Sequence, residues 1–112
     1  MGAYENQNVI AGVDSDLIPL VTNLNQNYPN PFNPSTTIEF SIQNDSKIDL
    51  SVYNIRGQKI NTIIHNKFTK GSHSIIWNGN DEIGKSVSSG LYLYKLNING
   101  KTEAVKKCLL LK

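Results

Sequence analysis

After Pro34 apolar and polar residues take turns along the chain. In Thr37-Ile38-Glu39-Phe40-Ser41-Ile42 every second residue is apolar, and Ile48-Asp49-Leu50-Ser51-Val52 repeats the pattern. Successive side chains of a strand point to opposite faces. Ile38, Phe40 and Ile42 therefore share one face, and Ile48, Leu50 and Val52 share one face of the next strand. Further strands are predicted at Gln58–His65, Ser72–Trp77, Leu91–Ile98 and Thr102–Leu111. Arg56-Gly57, Lys70-Gly71, Asn78-Gly79, Ser89-Gly90 and Asn99-Gly100 stand between them as turns. Asn99-Gly100 is the strongest hairpin signal, because both central positions of such a turn need φ > 0. No segment sustains a 3.6-residue period with a cap. The pattern predicts an all-β fold, an immunoglobulin-like antiparallel β-sandwich of about seven strands, with a closed barrel as the alternative.

Ahead of Pro34 no period holds. Asn23–Asn27 is polar and low in complexity and reads as a linker, with Leu17–Val21 as a candidate edge strand. Tyr28-Pro29-Asn30-Pro31-Phe32-Asn33-Pro34 follows. Each residue before a proline is pushed to extended geometry, and prolines at this spacing forbid a helix. Tyr28 and Phe32 are expected to pin the segment against the following sheet.

Composition narrows the function. The 112 residues are 38% hydrophobic, enough for one domain with a core. Charged residues make up 18%, with a net charge of +2, which does not suggest a nucleic-acid binder. No apolar run approaches the roughly 20 residues that span a bilayer. Asp14 and Asp16 interrupt the one apolar region near the start, so no signal peptide is expected there. The single cysteine, Cys108, cannot form an internal disulfide. Among Val105, Leu109 and Leu110 it reads as a buried small hydrophobe.

Candidate chemistry is sparse. Gly79-Asn80-Asp81-Glu82-Ile83-Gly84-Lys85-Ser86 fits the written pattern of a phosphate-binding loop, but that loop needs a helix starting at its Lys-Ser. Val87-Ser88-Ser89-Gly90 leads into a strand instead, so the segment reads as a long inter-strand turn. Asn80, Asp81 and Glu82 could meet a Ca2+ ion, although the ligand spacing of an EF-hand is missing. His65 and His73 fall on separate strands with no nucleophile elbow to join them, and no cofactor is implied. Trp77, Tyr53, Tyr92 and Tyr94 could form a sugar-stacking platform. However, Trp77 follows Ile75 at period two, and Tyr92, Tyr94 and Leu96 share a face, so these read as core.

Taken in order, these motifs resemble a family. Asn27 through Ile38, with its Tyr28, Pro29, Asn30, Pro31, Phe32, Asn33 and Pro34, looks like the opening of a type A C-terminal sorting domain of the type IX secretion system. The likeness continues at Val52–Lys59 with Gly57, at Gly71–Asp81 with Trp77 and Gly79, at Gly84–Tyr92 with Gly84, Gly90 and Tyr92, and at Lys106–Lys112. It covers about residues 24–112. The family often has Asp at Asn78 and Met at Cys108. The resemblance implies an immunoglobulin-like sandwich, related to that of flagellar hook-capping proteins, at the end of a larger exported protein. The parent would pass through the periplasm to the cell surface or extracellular space. The implied partners are the outer-membrane translocon, a surface sortase-like peptidase that removes the domain, and the upstream cargo in the same chain.

On this reading residues 27–112 are the sorting domain. Residues 1–26 are a linker and the end of a preceding domain, since Met1–Gln7 resembles the closing segment of a right-handed parallel β-helix. The domain is an address label rather than a catalyst. The candidate recognition residues are Lys106, Lys107, Leu109, Leu110, Leu111 and Lys112, because a chain-terminal strand offers an edge for β-addition. The alternative is a carbohydrate-binding or structural immunoglobulin-like module.

Overall fold

The alternating segments form strands in the computed structural model, which describes residues 22–112. They are β1 (Asn23–Leu24), β2 (Thr36–Ile42), β3 (Ser46–Asn54), β4 (Lys59–Phe68), β5 (Gly71–Trp77), β6 (Gly90–Ile98) and β7 (Lys101–Leu110). The pairings between these strands are antiparallel, in two sheets ordered β1-β2-β5 and β4-β3-β6-β7. The expected sandwich is therefore observed, as two open sheets and not a closed barrel. The candidate strand at Leu17–Val21 and the Met1–Gln7 segment lie outside the described residues.

The period-two pattern sets the core. Burial alternates without a break along β2, so that Ile38, Phe40 and Ile42 face inward. Opposite them stand Ile48, Leu50 and Val52 of β3 and Tyr92, Tyr94 and Leu96 of β6, all buried. Each buried large apolar side chain contributes about 1.5–3 kcal/mol relative to exposure. Trp77, Tyr92 and Tyr94 are core residues and therefore offer no exposed rings to a sugar. Tyr53 lies on the outer face with the Lys95 ammonium 4.7 Å from its ring centre.

Three details depart from the simple pattern. β1 arises inside the stretch expected to be linker, where Leu24 is buried and pairs with Phe40. The register slips between Leu50 and Ser51, between Val52 and Tyr53, and between Leu96 and Asn97. Such slips insert an extra residue on one strand and bend it. β4 also runs on to Phe68, past its expected end at His65. The Asn99-Gly100 hairpin forms as expected, with φ of 52° and 85°.

The carboxyl-terminal edge as candidate functional site

β7 is an edge strand, paired with β6 on one side only. Alternation divides its side chains. Cys108 and Leu110 point into the core and are buried, with Lys106 at the same parity. Val105, Lys107 and Leu109 take the outer face. The candidate recognition residues are thus not one surface. Lys107, Leu111 and Lys112 are exposed, Lys106 and Leu109 are half-buried, and Leu110 is sealed inside. Leu110 holds the strand in place and has no surface for a partner to read. Burial also pushes the Cys108 thiol up to about 12, so it stays protonated and inert at neutral pH.

The outer edge of the second half of β7 is already occupied. Phe32 N–H donates to Leu109 O at 2.9 Å, and Leu111 N–H donates to Phe32 O at 3.0 Å, a parallel bridge. Asn30 Oδ1 accepts the Leu109 amide at 3.0 Å, and the Gln26 side-chain amide donates to Lys107 O at 2.7 Å. Residues 26–32 therefore clasp the last strand. The expected β-addition at the chain end finds no free backbone between Lys107 O and Leu111 N–H. The carboxyl terminus is tied down as well: Lys112 N–H donates to Ser89 Oγ at 2.9 Å, and its ammonium meets Ser86 Oγ.

The proline-rich segment is built for this position. Its Tyr28-Pro29, Asn30-Pro31 and Asn33-Pro34 bonds are cis. Phe32 is buried with its ring centre 5.5 Å from that of Trp77, which in turn lies 5.6 Å from Tyr92. Tyr28 pins by other means than expected. Its backbone exchanges two hydrogen bonds with Thr37, while its ring is half exposed and its hydroxyl donates to Glu39 Oε2 at 2.8 Å. Asn27 is fully enclosed. Its N–H donates to the Tyr94 hydroxyl at 2.8 Å, which donates onward to Asn25 O at 2.7 Å. Burial raises the Tyr94 phenol to about 12. Gly79 closes the arrangement: a Cβ there would stand 2.8 Å from Pro34 O and 3.6 Å from a Leu110 methyl, and its φ is +69°.

The other sequence candidates resolve into structure. Gly79–Ser86 contains no helix start. It is a tight turn in which Asp81 Oδ1 accepts the amides of Ile83 and Lys85 at 3.1 and 2.8 Å. Asn80 O accepts from Trp77 Nε1 and Asn61 Nδ2, each at 2.9 Å. Asp81 Oδ1 and Asn80 O, two of the oxygens offered to a Ca2+ ion, are thus engaged by the turn. Among the described residues no group of three His, Cys, Asp or Glu gathers as metal ligands. His65 Nδ1 lies 3.2 Å from Asp49 Oδ2, and Ser51 Oγ donates to the other Asp49 oxygen at 2.7 Å. A catalytic relay needs the imidazole between serine and acid; here the acid is in the middle. His73 packs tilted against Phe40 and edge-to-face with Phe68, with Nε2 on Thr69 O. Gly57, Gly84 and Gly90 adopt positive φ at turns and at a strand start.

A two-sheet, seven-strand sandwich whose opening motif seals its closing strand defines an immunoglobulin-like terminal module. The family described as "Secretion system C-terminal sorting domain" matches residues 26–111. The chain belongs to this family, the C-terminal secretion signals of the type IX secretion system. Among solved structures it is similar to dimeric latent PorU from Porphyromonas gingivalis, with TM-score 0.70, 21% identity, and coverage of 92% of this chain and 10% of that one. FLGD from P. aeruginosa gives TM-score 0.52 and 26% identity, covering 67% of this chain and 59% of that one. The chain therefore spans a small part of the first and rather more than half of the second. No curated protein matches it.

Proposed function

We propose that this domain carries an upstream cargo of the same chain to the cell surface or extracellular space, and that the outer-membrane translocon reads its folded carboxyl-terminal end. The domain performs no catalysis of its own. Residues 27–112 act as the label together with the strand and clasp residues Asn23–Gln26 that the fold ties to them, the residues ahead of Asn23 join it to the preceding cargo, and a surface sortase-like peptidase cuts the joining segment after residue 6 and ahead of Asn23. Family membership supports the role. The observation that carries the reading of the end is the clasp: Gln26, Asn30 and Phe32 fix Lys107–Leu111 as a shaped surface, whereas a loose tail would present no fixed geometry.

The test is a reporter fused ahead of the whole chain in a bacterium with this secretion system. Deletion of Leu109–Lys112 is expected to abolish surface reporter. Because that deletion also removes buried Leu110, a Leu111→Ser, Lys112→Glu variant is run beside it, with its fold checked by circular dichroism. Undiminished export of both variants would refute the reading. Mass spectrometry of the released cargo places the cut.

A further inference from the structure

We propose that the outer face of β6 and β7, beside the clasp, is the docking surface, and that it takes an apolar surface of the translocon rimmed with carboxylates. This assignment rests on the secretion reading above. Strand addition to the last part of β7 would have to displace Phe32 and Asn30, so a partner at the chain end must pack on a face and not extend the ladder.

Alternation places Leu91, Leu93 and Lys95 of β6 on the outer face, paired across the ladder with Leu109, Lys107 and Val105. Leu91 is 41% exposed and Val105 50%. No acidic residue lies among these six. Tyr53 of β3 pairs beside Leu93 and carries Lys95 over its ring. At the clasped end Leu91 also borders a cavity of about 350 Å3, which Ile55 and Arg56 of the β3–β4 turn line as well, again with no acidic lining residue. The acids of this end, Asp81 and Glu82, belong to the 79–86 turn, where Asp81 is held by backbone amides.

The other sheet provides the contrast. Beside β1 its outer face gathers Asn23, Asn25, Glu39, Ser72 and Ser74, polar groups among which Glu39 is engaged by Tyr28 and Asn25, while exposed Ile76 follows further along β5. Around Lys95 and Lys107 the first face is apolar and basic, its acid Glu103 standing beyond Val105 toward the hairpin; around Ser72 and Ser74 the second is polar with an acid. Complementarity therefore selects a partner with exposed apolar groups and Asp or Glu around them, and like charges on that partner would be repelled.

The experiment uses the same reporter fusion with the whole chain. Lys95→Glu with Lys107→Glu is expected to lower surface reporter at least about tenfold, the effect of a 1.4 kcal/mol loss in docking, with an unchanged melting temperature. Lys95→Arg with Lys107→Arg retains export. Ser72→Glu with Ser74→Glu, on the opposite face, also retains it. If the Lys95 change lowers the melting temperature, exposed Lys107→Glu alone decides. Parental export of the folded glutamate variant overturns the assignment, as does an equal loss from the Ser72/Ser74 variant. A parental fusion that is not exported instead overturns the secretion reading, and this assignment with it.

Discussion

The two halves of β7 belong to one strand and differ in both chemistry and surroundings. Lys101–Lys106 is an ordinary exposed edge, with Lys101, Thr102, Glu103 and Val105 in solvent. Lys107–Leu110 has the same strand geometry, but its outer backbone is paired with residues from the opposite end of the domain. Edges invite unwanted pairing, and this strand answers twice: with charged side chains in its first half and with a covering segment in its second. The difference teaches that the last residues of the chain owe their shape to the first residues of the domain.

Substitutions can break that asymmetry. Phe32→Ala removes the buried ring that packs on Trp77 and is expected to cost about 3–5 kcal/mol, read as a lower urea midpoint. Gly79→Ala drives a methyl toward Pro34 O in a left-handed backbone position, at about 1–3 kcal/mol, measured by thermal melting. Tyr94→Phe strands the buried Asn27 N–H at about 1–3 kcal/mol. The same variant also tests the titration. Unfolded, the phenol ionises near 10; folded, at about 12. Below pH 10 both states keep the proton and stability is full. Above it only the unfolded state loses the proton, so stability falls as pH rises through 12. Cys108, raised from 9 to about 12, acts with the same sign from pH 9 upward. Urea melts between pH 8 and 11.5 should therefore show a decline that is shallower in Tyr94→Phe. Asn30→Ala removes one exposed bond to the Leu109 amide, at about 0.5–1.5 kcal/mol. Glu103→Ala, in the uncovered half, should stay within about 0.5 kcal/mol.

The same contrast marks what the sequence could disclose. Periodicity is local, so β2, β3 and the inward positions of Trp77, Tyr92 and Tyr94 could be read from neighbours two residues apart, and the burial of Cys108 from its apolar company. The Asn99-Gly100 hairpin was legible for the same reason. β1 was not, because two residues hold no period and Asn23 favours turns. The clasp was not, because the pairing of Phe32 with Leu110 joins the two ends of the domain and leaves no local trace. Leu110 looked like a readable terminal residue because Cys108–Leu111 is an unbroken apolar run, in which alternation does not tell inward from outward; the contact with Gly79 and the bridge to Phe32 do. The outer-face lysines were visible as residues, but their company with Tyr53 and Leu91 depends on the β3–β6–β7 register.

Amide hydrogen exchange probes the shaped end most directly. If the closing residues are built into the fold, the Leu109 and Leu111 amides exchange orders of magnitude more slowly than the outward Val105 amide, and Phe32→Ala erases the gap. Leu109 and Leu111 amides that exchange as fast as Val105 in the parent chain would mean a loose tail, and the account of a folded label end would be wrong.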